Sequence, residues 1–206
     1  MNTWTSISNG REAFGEYLAA LTPDEWNMAS LCVGWNVKDV AAHMLVIPTM
    51  SKSQVFRAFA SSGFNLDKMN TKLVRRLTTE MSTAEIAAKT VSCAASHDMP
   101  PGLKLPGVLN ELAVHSADIS EVLGTTFALP VDDYVACLNH LKNVQPVFGT
   151  KKRITGLTMQ ATDSDWSTGT GPVVRGPSRT LLLAMAGRRV AIDTLTGDGI
   201  GTFRSR

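Results

Sequence analysis

From residue 8 to about residue 146 the apolar residues recur at helical spacing, and from about residue 150 they no longer do. That change of period constrains the fold more than any single motif. A long stretch with a 3.6-residue period asks for several helices, each burying one stripe against its neighbours, which is a bundle. Beyond it, "RITGLTMQATD" alternates and is rich in β-branched residues, so it reads as a strand. "STGTGP" reads as a turn, "VVRG" as a second strand, and "SRTLLLAMAG" as a helix begun at Pro177 or Ser178. The expected fold is mainly α: a helical bundle over residues 1–149 and a small α+β domain over residues 150–206.

Start and stop signals divide the bundle. "SNGREAFGEYLAALT" is a first helix; Thr22, Pro23 and Glu25 then form a capping box with the proline at the first helical position, where its missing N–H costs least. Asn36 is the N-cap of "VKDVAAHMLVI", whose stripe is Val37, Val40, Ala41, Met44 and Leu45, and Pro48 ends or bends the chain beyond it. "NLDKMNTKLVRRLTTEM" and "STAEIAAKTVSCAA" are further helices, the second opened by a Ser82/Glu85 box. "SHDMPPGLKLPG" is expected to be a loop, "VLNELAVHSADISEVLG" a long helix stopped by Gly124, and "PVDDYVACLNHLKNV" one helix more.

Composition excludes several classes. With 206 residues, 44% apolar, 18% charged and a net charge of +2, the chain can bury a core without disulfides and is far from a disordered composition. Cys32, Cys93 and Cys137 are scattered and form no CxxC pair, which argues against a disulfide framework or thiolate zinc cluster and for a reducing cytoplasm. No stretch approaches the roughly 20 apolar residues of a membrane span. Residues 150–206 carry nine Lys/Arg against four Asp/Glu, but no nucleic-acid motif or interleaved aromatics accompany them. Most of these residues read as a basic solvated surface, which could attract an anionic substrate, and nucleic-acid binding is not inferred.

Within "LNELAVHSADIS", Glu111 and His115 stand four residues apart, so both side chains emerge on one helix face a turn apart. A carboxylate oxygen and an imidazole nitrogen both suit a divalent metal such as zinc. A glutamate among apolar neighbours is costly unless paired or metal-bound. Two ligands do not make a site, and such a pair also occurs on ordinary solvated helices. His43 is the strongest third partner, because its surroundings are apolar and helical; His97 sits in a loop and His140 on a more polar stretch. A single histidine near an apolar stripe is more often a satisfied core residue than a ligand.

"CVGWNVKDVAAHM", then "NELAVHSADI", then "ATDSDW", "GPVVRGPSRTLLLAMAGR" and "LTGDG" in that order resemble the mycothiol-dependent maleylpyruvate isomerase family of the DinB/YfiT-like superfamily. The likeness runs over roughly residues 20–200. It implies a DinB-like up-down four-helix bundle that holds a divalent metal, usually zinc, through His43, Glu111 and His115. It also implies mycothiol as the thiol cosubstrate, a small electrophile as the other substrate, and a C-terminal arginine that binds substrate carboxylates. Arg175, Arg179, Arg188 and Arg189 are available for that role, and the "GRR" pair Arg188 and Arg189 is the preferred choice.

Three protein ligands leave a coordination position open, as in catalytic zinc sites. A thiol bound there is ionised at neutral pH, which supplies a nucleophile without a protein cysteine. The expected activity is therefore thiol S-transfer or isomerisation in a cytoplasmic enzyme with a role in detoxification. The alternatives are a non-catalytic metal- or ligand-binding module of the same fold, or the same fold using bacillithiol or glutathione. Asp39 and Asp118 are spaced to orient His43 and His115, although Asp39 could instead serve its helix start and Asp118 face water. Trp35 is expected to pack the bundle or wall the site; Cys32, just before the His43 helix, could lie near the site, but a buried inert thiol is the preferred reading.

Overall fold

The computed structural model describes residues 2–99, 103–143 and 149–206. The central part of the expected "SHDMPPGLKLPG" loop and the tail of the helical period near residue 146 lie outside them. The chain divides into two compact units, Met1–Phe127 and Ala128–Arg206.

The first unit holds α1 (Thr3–Ala19), α2 (Pro23–Asn27), α3 (Val37–Thr49), α4 (Lys52–Ser61), α5 (Leu66–Glu80), α6 (Thr83–Ser92) and α7 (Leu105–Ser120). α1 packs on α6 and α7, and α3 on the same two helices, so these four close a ring around one core. That is the expected four-helix bundle. Ile7, Phe14 and Leu18 of α1 meet there with Val40, Ala41 and Leu45 of α3, Ile86 of α6, and Leu109, Leu112 and Ile119 of α7, all buried. α4 and α5 pack on each other, and α5 also covers α3.

Local chemistry sets the helix starts. Thr22 with Glu25, Ser82 with Glu85, and Asn36 with Asp39 each form a reciprocal capping box that satisfies two otherwise orphaned N–H groups. Pro48 falls in the last turn of α3, which ends at Thr49. α4 is an element beyond those expected from the sequence, yet it carries the same signature, a Ser51/Gln54 box. Leu105, Pro106 and Gly107, expected as loop, already belong to α7, because a proline in the first turn gives up no hydrogen bond. At Gly15 a Cβ would stand 2.6 Å from Val91 Cγ2, so glycine is what lets α1 approach α6.

The second unit comprises α8 (Val131–Leu141), α9 (Thr150–Ile154), β1 (Thr158–Ala161), β2 (Ser167–Gly169), β3 (Val173–Gly176), α10 (Ser178–Met185), a 3-10 helix (Arg189–Thr194) and α11 (Ile200–Arg204). The sheet order is β2-β1-β3, with β1 antiparallel to β2 and parallel to β3. Met159 and Ala161 of β1 and Val174 of β3 are buried, while Arg175 on the other face donates to Gln160 Oε1 at 2.8 Å. α10 packs on α8 and on β1 and β3.

Two sequence expectations are corrected here. The strand read over "RITGLTMQATD" is confined to Thr158–Ala161, and its first residues end helix α9 instead. Ser167–Gly169 of the expected "STGTGP" turn is an edge strand, paired to β1 through Thr168 opposite Met159. Main-chain hydrogen bonds to a neighbouring strand override a turn-like composition, and Gly169 sits at φ +87°, where a Cβ would collide with the Leu157 carbonyl.

Candidate metal centre

α7 is buried all round. From Gly107 to Ser120 every residue is buried except Glu111, whose side chain keeps 37% of its surface accessible. A helix so enclosed is set by its apolar neighbours. Its one opening toward solvent is the carboxylate.

His43 from α3 faces that carboxylate. His43 Nε2 lies 3.6 Å from Glu111 Oε2, and His115 Nε2 lies 3.3 Å from the same oxygen. One donor atom from each of the three residues is within 4.8 Å of the other two. The two imidazole rings meet edge to face, with centroids 5.1 Å apart. The α3–α7 packing thus joins residues 68 positions apart in the chain.

The two imidazoles are held in different ways. His115 Nδ1 lies 3.1 Å from Asp118 Oδ2, a fully buried carboxylate one turn along α7. That bond fixes the ring and presents Nε2 to Glu111. His43 Nδ1 is buried without a hydrogen-bond partner, and its ring rests against Trp35, centroids 5.1 Å apart and tilted 56°. At the Nδ1 side, packing rather than a hydrogen bond holds the His43 ring. Asp39 does not serve it, because Asp39 Oδ2 accepts the Asn36 N–H at 3.2 Å and closes the α3 capping box.

The electrostatics arise from these contacts. Burial pushes the Glu111 carboxyl up, but the hydrogen bonds and charges of His115 and His43 outweigh it and hold the group well below the usual carboxylate range. Burial likewise opposes charge on His115. Its bonds to Asp118, Cys32 and Glu111 prevail and raise its pKa well above the ordinary histidine value. Without a cation, the cluster thus favours an ionised Glu111 beside a protonated, charged His115.

The donor set fits a divalent metal. Two ligands each about 2.1 Å from a tetrahedral ion stand about 3.4 Å apart. The two contacts to Glu111 Oε2, 3.3 and 3.6 Å, bracket that value. Two imidazole nitrogens and one carboxylate oxygen are also the ligand types zinc accepts alongside an open position.

Cys32 is half-buried and sits beside this cluster, the less favoured of its two sequence readings: its Sγ donates to Asp118 Oδ2 at 3.1 Å and lies 3.7 Å from His115 Nδ1. No spacing signal in the sequence marks that contact, since residues 32 and 118 are brought together only by the loop before α3. The other histidine of this unit, His97, stacks on Trp4 with centroids 4.2 Å apart. In the second unit, His140 lies in the last turn of α8. Arg188 there is half-buried and donates to the Ala186 carbonyl at 3.1 Å, and Arg189 is exposed at the start of the 3-10 helix.

Comparison with known proteins agrees with this architecture. The crystal structure of the mycothiol-dependent maleylpyruvate isomerase matches with a TM-score of 0.62 at 16% identity, covering 95% of this chain and 91% of that one. The crystal structure of a mutant of that isomerase matches with the same TM-score and coverage at 14% identity. At these identities the likeness establishes the fold. No curated protein sequence matches the chain significantly. The family model described as the mycothiol maleylpyruvate isomerase N-terminal domain matches residues 7–120, more than half of the chain and the whole stretch that bears the histidine–glutamate cluster, and the chain belongs to that family.

Proposed function

We propose that this chain is a metal-dependent enzyme that uses a low-molecular-weight thiol, mycothiol, to isomerise or conjugate a small electrophile. The convergence of His43 Nε2 and His115 Nε2 on one oxygen of Glu111 carries the reading. Family membership supports mycothiol and isomerisation as the chemistry.

His43, Glu111 and His115 would hold the cation. When bound, it would supply the positive charge that favours a thiolate over a thiol. The chain's own groups do the rest. Glu111, ionised through the neutral range, offsets part of the dipositive charge and leaves the solvent side accessible. Asp118 keeps the His115 Nδ1 proton in place, so Nε2 remains the donor directed at the site. Trp35 covers the His43 ring and limits water on that side.

Addition of the thiolate to a carbonyl-activated double bond forms a C–S bond and moves the π electrons onto the conjugated carbonyl oxygen as an enolate. Bond rotation followed by expulsion of the thiolate gives the cis–trans isomer, while protonation of the adduct gives a conjugate. Arg188 and Arg189 are proposed to bind substrate carboxylates, as a planar guanidinium is suited to do. No protein nucleophile is needed. Burial pushes the Cys137 thiol far up and makes it a poor one.

The test combines metal analysis of the purified protein with turnover of cis-configured unsaturated dicarboxylates in the presence of mycothiol, bacillithiol or glutathione. One equivalent of zinc or a related metal and activity with mycothiol alone are expected. Stoichiometric metal with no turnover for any thiol would favour a binding module of the same fold. Absence of metal, or a His115→Ala variant with unchanged metal content and activity, would overturn the proposal.

A further inference from the structure

The loop of residues 30–36 joins both imidazoles, and Cys32 is its contact to one of them. Three main-chain bonds tie it down: Ser30 N to Trp35 O at 2.9 Å, Trp35 N to Cys32 O at 3.0 Å, and Leu31 N to Asp118 O at 3.2 Å. The Ser30 hydroxyl accepts from Cys32 N and donates to Trp35 O. Gly34 takes φ +82°, a left-handed conformation that closes the turn at little cost only for glycine. One end of this small ring places Trp35 on His43, and the middle places Cys32 on Asp118.

Cys32 Sγ, His115 Nδ1 and Asp118 Oδ2 also lie within 4.8 Å of one another, which raises the question of a second cation. Distances decide against it. A thiolate and a carboxylate oxygen on one zinc ion would stand about 3.5 Å apart. The observed separation of 3.1 Å is that of an S–H donating to a carboxylate, and the other contact to the same oxygen, from His115 Nδ1, is also 3.1 Å. Asp118 is 0% exposed, so a carboxylate there is tolerated only while its hydrogen bonds hold.

We infer that Cys32 is a positioning residue for the metal centre: its thiol is the second donor on Asp118 Oδ2 and keeps that oxygen aligned with the Nδ1–H of His115. The inference rests on the metal-centre reading for its consequence, but its structural part concerns the metal-free chain. Deleting the donor lets Asp118 rotate toward other partners. His115 then loses the anchor on its Nδ1–H, and with it the orientation of Nε2. Outer partners of metal-bound histidines affect affinity by about 10- to 100-fold, and Cys32, one bond further out, belongs at the low end of that range.

The test uses the full chain with Cys32→Ala, Cys32→Ser and Cys32→Val. Zinc affinity is read by competition with a chromophoric chelator, and the His115 side-chain nitrogens by 15N NMR in the metal-free protein. Cys32→Ala is expected to weaken zinc binding about tenfold and to shift the His115 Nδ1–H resonance away from its carboxylate-bonded position. Cys32→Ser, which retains a donor, should recover most of both. Cys32→Val, apolar and of similar volume, carries the same expectation as alanine if the alanine variant does not fold. Unchanged zinc affinity and unchanged His115 nitrogens in the alanine or valine variant would overturn the inference. Should wild-type chain bind no zinc, the metal-centre reading fails, while the NMR comparison still decides whether Cys32 holds His115 through Asp118.

Discussion

His115 presents its two ring nitrogens to two different carboxylates: Nδ1 lies 3.1 Å from Asp118 Oδ2 and Nε2 lies 3.3 Å from Glu111 Oε2. Once the ring is neutral, as in a metal complex, the buried carboxylate keeps the remaining proton on Nδ1. The half-exposed one is where, in the proposed function, a cation and a substrate thiol would meet.

Asp118→Asn tests that division of labour. The amide retains the shape of Asp118 but loses its charge, and its NH2 group can face Nδ1 and shift the proton to Nε2. Zinc affinity should fall about 10- to 100-fold, with far-UV circular dichroism unchanged. Wild-type affinity in this variant would remove Asp118 from the site.

The pH dependence should differ in sign between the metal-free and metal-bound chain. His115 has a raised folded-state pKa, so its stabilising contribution is complete below the unfolded value of about 6.5 and is lost as pH rises through the folded value. Glu111 is depressed, so its contribution is present above about 4.3 and is lost only as acid takes pH down through the folded value. The melting temperature of metal-free protein should therefore decline from mildly acidic toward alkaline pH. Zinc must displace the His115 proton, so its affinity and the stabilisation it confers should rise over the same range, with proton release measurable by calorimetry in buffers of different ionisation enthalpy. Parallel profiles with and without zinc would contradict this account.

Asn36→Ala removes the side chain that accepts the Asp39 N–H at 2.9 Å at the start of α3. A lost N-cap costs about 1 kcal/mol, equivalent to a melting temperature lower by about 2–4 °C in a chain of this size. Asn36→Ser should recover most of the loss. Equal melting temperatures for wild type and the alanine variant would show that the cap is redundant.

Gly15→Ala sets two effects against each other. Alanine gains up to about 1 kcal/mol of helix propensity over glycine, but its Cβ would stand 2.6 Å from Val91 Cγ2 and 2.9 Å from the Val91 backbone nitrogen. Because backbone is involved, relief requires α1 and α6 to separate, and overpacking of this kind costs about 1–3 kcal/mol. The expected net result is a modest loss in urea denaturation. A gain in stability would mean that the two helices adjust freely.

What the sequence made legible was local. The Thr22/Glu25 and Ser82/Glu85 boxes, the Asn36 cap and the helix after Pro177 all depend on groups a few residues apart, and each is present. The Ser51/Gln54 box was equally readable and marks α4, which Pro48 obscured by suggesting only a break. β2 was not readable, because three residues of Ser, Thr and Gly acquire strand geometry only from their partner β1.

By itself, the order of residues determined that Glu111 and His115 share one face of a helix, since 3.6 residues per turn puts positions four apart side by side. It also determined, through apolar period and capping chemistry, that the first unit is a bundle. Only the packing of α3 on α7 decided that His43 meets Glu111 Oε2 at 3.6 Å. The folded loop before α3 alone set Trp35 on His43 and turned Cys32 toward Asp118. Hydrogen bonds reach about 3 Å whatever the separation in sequence, so partners from different elements are chosen by the fold and leave no period to read.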